Sequence, residues 1–151
     1  MEKDRYSELT LSEVFRSGFV SLHYDASYSL LIVKWERQID LDERKEGFLK
    51  ALEFSVEHNV LNWLINDEEI FVITTAEQKW IENEWTELVA KSDIQKIAVW
   101  HPDHYNSLVT FTEFTQRAQK KYRQHGTTHH EVFMDFQTAL EWLLAEEDRE
   151  G

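Results

Sequence analysis

Over the first part of the chain, apolar and polar positions alternate in short runs. From Phe19 to Tyr24, apolar Val20 and Leu22 alternate with polar Ser21 and His23, the two-residue period of a strand with one buried face. Tyr28 to Trp35 reads Tyr-Ser-Leu-Leu-Ile-Val-Lys-Trp and is the strongest strand pattern in the protein. Asp25-Ala26-Ser27 between them is a turn candidate, so the two runs predict an antiparallel hairpin. Ahead of the hairpin, Thr10-Leu11-Ser12-Glu13 has the spacing of a capping box, and a short helix is expected from about Thr10 to Phe15.

Beyond Trp35 the period lengthens. Asp40 is placed to cap a helix running to about Glu57, with Phe48, Leu49, Leu52 and Val56 as its apolar stripe. His58-Asn59 suits its end, because Asn tolerates the left-handed backbone needed just past a helix. Val60 to Ile65 is a short apolar strand of the kind buried in a parallel sheet. A loop from Asn66 to Ile73 leads into Thr74-Thr75-Ala76-Glu77, a second capping box. The helix it opens carries Trp80, Ile81, Trp85, Leu88 and Val89. Ile94 to Trp100 is the next strand. Pro102 fits the first turn of a helix that places His104, Leu108, Phe111, Thr115, Ala118 and Tyr122 on one face. Gly126 breaks the chain, Glu131 to Met134 forms the last strand, and Asp135 caps a closing helix holding Phe136, Ala139, Leu140 and Leu143. The predicted order is β-β-α-β-α-β-α-β-α. That is an α/β domain whose helices pack on a mostly parallel sheet with right-handed crossovers.

Composition narrows this picture. A chain of 151 residues with six Trp, nine Phe and five Tyr suffices for the core of a single domain, 1–151. Within it 1–17 reads as an N-terminal extension and 145–151 as an acidic tail. Four glycines and one proline leave no flexible linker. The absence of cysteine excludes disulfides, thiol nucleophiles and thiolate metal sites. The charged start lacks the apolar run of a signal peptide, and no stretch reaches the roughly 20 apolar residues of a membrane span. A cytoplasmic location is expected. A net charge of −13 argues against nucleic acid as a partner. Arg117, Lys120, Lys121 and Arg123 read as cations at a helix end.

Few residues point to chemistry. No Gly-x-Gly-x-x-Gly, P-loop or Gly-x-Ser-x-Gly occurs. Asp67, Glu68 and Glu69 fall at the carboxyl end of a central strand, where α/β sheets usually bind ligands. Together they could hold Mg²⁺ or serve as an acid–base pair; the plainer reading is a solvated loop in an acidic protein. Thr74 and Thr75 sit at a helix start that favours an anion, hence a phosphoryl group, although capping accounts for one of them. His101 with His104, and His125, His129 and His130, form two groups that read as ordinary surface histidines, because zinc needs converging ligands. Trp35, Trp63, Trp80, Trp85, Trp100 and Trp142 are mostly core by periodicity; any exposed together would mark a partner surface.

The chain also resembles a family. The second strand ending in Trp35, the third ending Ile65-Asn66-Asp67, and Val132-Phe133 followed by Ala139-x-x-Trp142-Leu143 carry the resemblance, which spans Phe19 to Leu144. It is to the STAS-like, or SpoIIAA-like, fold of anti-sigma-factor antagonists, and more closely to uncharacterised stand-alone bacterial proteins of that fold. In the antagonists, an Asp ending the third strand is followed directly by a Ser or Thr whose phosphorylation switches binding of a partner kinase. Here Asp67 matches, but Glu68 and Glu69 follow it and a longer loop precedes Thr74. The resemblance, the missing catalytic motifs and the abundance of aromatic residues together point to a non-enzymatic regulatory module that binds a protein partner and forms a homodimer, and no cofactor is expected. Two alternatives stand beside it. One is a sensor or carrier of a small apolar ligand or lipid held between helices and sheet. The other is a metal-dependent hydrolase or phosphotransferase built on Asp67, Glu68 and Glu69.

Overall fold

The structure is a computed structural model describing residues 8–101 and 105–145, with side chains from 113 onward in the second stretch. Six strands lie in one sheet in chain order. The strands β1 (Ser12–Arg16), β2 (Val20–Asp25) and β3 (Leu30–Trp35) form an antiparallel run. Then β4 (Asn62–Asn66), β5 (Lys96–Trp100) and β6 (His129–Phe133) are added in parallel to β3. The helices are α1 (Leu41–His58), α2 (Thr75–Trp80), α3 (Thr86–Val89), α4 (Tyr105–His125) and α5 (Phe136–Leu143). Each parallel strand is laid beside the last, and crossovers of one hand then put α1 to α4 on one face. One core cluster joins residues of those helices to Leu31, Val33, Trp63, Ile65, Ile97 and Val99. On the opposite face α5 packs Ala139, Leu140 and Leu143 against Leu30, Ile32, Leu64 and Ala98. The α/β class, the hairpin and the parallel remainder are as expected.

The start of the chain is not. In place of the helix expected from Thr10 to Phe15, Ser12–Arg16 forms the edge strand β1, giving three antiparallel strands before the first helix. A helix of six residues has too few internal hydrogen bonds to offset its nucleation, whereas pairing satisfies the outer edge of β2. The Thr10 N–H donates to Asp25 Oδ2 at 2.6 Å. The register shifts between Glu13 and Phe15, and such a bulge blunts an exposed edge. Asp25 organises the turn as well, its Oδ1 accepting from Ser27 N, Ser27 Oγ and Tyr28 N.

Both caps of α1 are as predicted. Asp40 and Glu43 form a capping box, and Asn59 takes the left-handed conformation at φ 52°. The buried stripe differs from the expected one. Leu49 and Val56 are 43% and 57% exposed, and the inward face is Arg44, Gly47, Phe48, Ala51 and Ser55. Gly47 supplies the reason. A Cβ there would come within 2.6 Å of Trp35 Cζ3, so the helix seats its one bare position on that ring and turns Leu49 outward. Ser55 is not stranded, since its Oγ donates to Ala51 O and accepts from Trp63 Nε1 at 2.8 Å.

Thr74 and Glu77 form the second capping box, at α2. Between α2 and α3 the backbone widens into a π-helical turn over Ile81–Trp85. Residues five apart diverge on an α-helix, and a π turn realigns them. Trp80 and Trp85 consequently stack at 5.9 Å, while Phe48 contacts both of them and also Trp35 and Trp63. Trp85 Nε1 donates to Tyr122 Oη at 3.1 Å. On the α4 face Thr115, Ala118 and Tyr122 are buried as expected; Pro102, His104, Leu108, Phe111 and the tail beyond Ala145 lie outside what is described. Trp100 and Trp142 are partly buried against Phe136 and Phe133 beside α5, so the tryptophans make no exposed patch. No helix among the described residues is long and apolar enough to cross a membrane.

Candidate functional site

The carboxyl ends of β3, β4 and β5 gather two pairs of buried ionisable groups. Alternation explains the first pair. Trp63 and Ile65 of β4 face the helices, and so does Asp67, the next residue in that series. Ile97 and Val99 of β5 set His101 the same way. Asp67 and His101 are 3% and 1% exposed, with Asp67 Oδ2 3.8 Å from His101 Nδ1. The Asp67 N–H donates to Trp100 O at 2.9 Å, which ties the two strand ends together. Asp67 Oδ1 is buried and accepts no hydrogen bond among the described residues.

Glu68 and Glu69 do not join Asp67. Both are exposed, and Asn66 fixes Glu68 by accepting its N–H and donating to its Oε1. The three adjacent carboxylates therefore split, one inward and two outward. Among the described residues no three His, Asp or Glu are grouped to hold a metal ion.

A second buried pair lies alongside. Arg44, in the first turn of α1, donates from Nε to Glu77 Oε2 at 2.6 Å, with side chains 3% and 0% exposed. Its guanidinium also lies over the rings of Trp35 and Phe48, an arrangement that favours Arg over Lys. Glu77 Oε1 accepts from Thr74 N and Thr74 Oγ1, and Thr74 Oγ1 accepts from Glu77 N. The Thr74 hydroxyl is thus bound into the network around a buried ion pair. A phosphoryl group there would meet the Glu77 carboxylate, an unfavourable contact. Thr75 is exposed. Gln78 extends the network to α4, accepting from Arg117 Nη2 at 2.8 Å while Arg117 Nε donates to Glu82.

Over these pairs runs the β4–α2 loop. Ile70 is buried as its anchor. Gln38, from the β3–α1 connection, grips the next two residues. Its Oε1 accepts from Phe71 N at 2.7 Å and Val72 N at 3.2 Å, and its Nε2 donates to Val72 O at 2.8 Å. The loop is fixed by its backbone while Phe71 and Val72 remain 53% and 57% exposed.

Sequence reasoning picked out Asp67, Glu68, Glu69, Thr74 and Thr75 and missed Gln38, Arg44, Phe71, Val72, Glu77 and His101 as members of the same edge. Arg44 had a readable signal, because it stands four residues before Phe48 on the face that also holds Ala51 and Ser55. His101 had one too, two residues beyond Val99. The Gln38 contact spans 34 residues and leaves no local trace.

Two other constellations resolve into structure. Ser21 Oγ donates to Glu36 at 2.6 Å and lies 3.1 Å from His23 Nε2, which is 4.0 Å from Glu13. In a nucleophilic triad, serine and carboxylate engage different ring nitrogens. Here one nitrogen faces both, and Ser21 is fully buried. Burial holds the His23 pKa below its ordinary value, against an upward pull from Glu13. His129 and His130 lie in β6, His129 at the sheet edge opposite His101. His130 packs on Tyr122 at 5.1 Å, and burial lowers its pKa to about 4.

No family model matches the chain, and no curated protein does. Among solved structures, it is similar to an uncharacterised protein of the DUF3478 family with a SpoIIAA-like fold from Shewanella loihica PV-4. That similarity covers 89% of this chain and 93% of that one at 14% identity and a TM-score of 0.44. The neighbour carries the fold description that the sequence resembles. Similarity at this level says nothing of activity.

Proposed function

We propose that this chain is a protein-binding module whose docking element is the loop from Asp67 to Thr74. The observation that carries this reading is the exposed pair Phe71 and Val72 on a backbone already clamped by Gln38. A fixed loop loses little further freedom on binding, and rigid apolar side chains make the anchors of interfaces. Glu68 and Glu69 give the loop an acidic rim, so the partner surface it suits has an apolar pocket bordered by Lys or Arg. A second copy suits it less, because a two-fold axis would set the Glu68–Glu69 pairs against each other. The alternatives find less support. Phe48 and the tryptophans around it occupy the space between helices and sheet where an apolar ligand was expected. The hydrolase reading needs Asp67, Glu68 and Glu69 to converge.

The test places a photo-crosslinking residue at Phe71 and, as control, at exposed Val56 on α1. One protein is expected to crosslink at 71 and not at 56. The purified partner should then bind about tenfold or more weakly to Phe71→Ser with the melting temperature unchanged. Crosslinks joining only two copies of the chain would replace this reading with the homodimer, and equal labelling at both positions would remove the loop as a site.

A further inference from the structure

The two outer strands of the sheet are finished differently. At β6, Gln119 of α4 donates from Nε2 to the His130 carbonyl at 2.7 Å, so a helix side chain takes up a backbone acceptor of that strand. At β1 no described strand lies beyond Ser12–Arg16, and Ser12, Glu13, Val14 and Arg16 are exposed. The bulge gives this edge a particular pattern. In a regular strand Glu13 and Arg16, three apart, would point to opposite faces. With Val14 as the extra residue they pair with His23 and Ser21, which stand two apart on β2. They therefore share a face and a backbone orientation. Ser17 N donates to Val20 O at 2.9 Å, and alternation from that bond turns the N–H and C=O of Arg16 away from β2, and with them those of Glu13. On their shared face, Arg16 Nε and Nη2 lie 2.8 Å and 2.7 Å from Glu13 Oε1. His23 Nε2 approaches the same oxygen at 4.0 Å. Among the described residues these contacts all fall on Oε1, so Oε2 keeps its lone pairs for another donor.

We propose that β1 is a self-association edge, to which a second copy adds its own β1 antiparallel about a two-fold axis. An axis passing between Val14 and Phe15 sets Glu13 opposite the partner's Arg16, and Arg16 opposite the partner's Glu13. The outward backbone groups of both residues then meet as hydrogen-bonded pairs, and opposite charges face each other twice. Val14, 37% exposed, and half-buried Phe15 lie between the two pairs and supply apolar contact. Two features select a copy of this chain over another strand. A straight strand has no extra residue to match the bulge, whereas a second copy brings the same one. The stretch Ser12–Arg16 also holds one acid and one base, so the net charge of −13 does not oppose pairing along it. An edge of five residues buries little area, at the low end for specific interfaces, and the association is weak and concentration-dependent. It shares no residue with the docking loop, so the two readings stand or fall separately.

Sedimentation velocity of the full chain at rising concentration is expected to show monomer passing to dimer. Over the same range hydrogen exchange at the Glu13 and Arg16 amides should slow in step with the dimer fraction, while the His130 and Val132 amides of β6 keep their rates. Arg16→Glu and Glu13→Arg each set like charges across the axis and are expected to weaken self-association about tenfold or more. Mixed in equal amounts, the two variants again oppose unlike charges at both pairs and should form a one-to-one dimer. Both positions are exposed, so melting temperatures should be unchanged. Should a variant fail to fold, the wild-type exchange at Glu13 and Arg16 decides by itself. A chain that stays monomeric up to millimolar concentration overturns the proposal. So does a dimer whose Glu13 and Arg16 amides exchange as in the monomer, or a mixture of the folded variants that does not associate.

Discussion

At the carboxyl edge of the sheet, the Arg44–Glu77 ion pair and the Asp67–His101 contact are sealed from water beside a clamped loop. At the amino edge, Lys96 is buried and donates to the Trp142 carbonyl in α5. The fold explains part of the contrast. Long crossovers leave the carboxyl ends of β3, β4 and β5 for α1, α2 and α4, so these ends lie under helix starts and their connections. The amino ends of β4 and β5 are reached by short returns such as Asn59–Leu61, which cover little. Burial at the first edge makes ionic partners obligatory. Electrostatic change at the carboxyl edge should therefore act on stability.

The largest effect that could break this comparison is at Arg44. Arg44→Met leaves the Glu77 carboxylate buried with only the Thr74 donors, and truncating one partner of a buried pair costs about 3–5 kcal/mol. Urea unfolding should show the loss. Arg44→Met with Glu77→Leu should restore most of it, since an apolar pair of similar volume needs no charge compensation. If the double variant were no more stable than the single one, the cost would lie in lost packing against Trp35 and Phe48 instead of in the stranded charge.

A smaller effect comes from His130 near the amino edge. Its folded pKa of about 4 lies below the ordinary 6.5, so the folded chain keeps this ring neutral while the unfolded chain protonates it. Its contribution to stability is whole above pH 6.5 and is lost as pH falls from 6.5 to 4. The loss approaches about 3 kcal/mol. Below pH 4 both states bind the proton and the loss stops growing. His130→Phe, which keeps a ring against Tyr122, should flatten that part of the stability–pH curve, as thermal unfolding at half-unit pH steps would reveal. An unchanged slope would assign the acid sensitivity to other groups, His23 first among them, because burial lowers it in the same direction.

These sites also show what the sequence could and could not disclose. Local signals were legible wherever a backbone end needed a side chain, as at Asp40, Asn59, Thr74 and Asp135, because caps act within four residues. The same logic failed at Thr10–Glu13, where the spacing of a cap was present and strand pairing with β2 prevailed. The α1 stripe was misjudged by its most apolar members. Leu49 and Val56 are exposed because Gly47, silent in any count of hydrophobic residues, fixes which side of the helix meets Trp35. Asp67 was found through its place at a strand end. Its separation from Glu68 and Glu69 was not, since direction alternates along a strand and the next two residues already belong to a turn held by Asn66.

The smallest expected effect tests whether the loop over the carboxyl edge is fixed by Gln38. Gln38→Ala removes the acceptor for Phe71 N and Val72 N and the donor to Val72 O. All lie at an exposed position, where each hydrogen bond is worth about 1 kcal/mol or less. Global stability should hardly move, because Ile70 still anchors the loop and the buried pairs beneath are untouched. Hydrogen exchange should change far more, and locally. The Phe71 and Val72 amides are expected to exchange faster by about tenfold or less, the equivalent of that energy, while the amides of α1 keep their protection. Unaltered exchange at both amides would mean that the loop is held from below, by Ile70 and the Asp67 turn, and that Gln38 only follows it. Faster exchange spreading into α2 would instead tie the clamp to the Thr74–Glu77 cap, making the exposed loop and the buried pairs one cooperative unit.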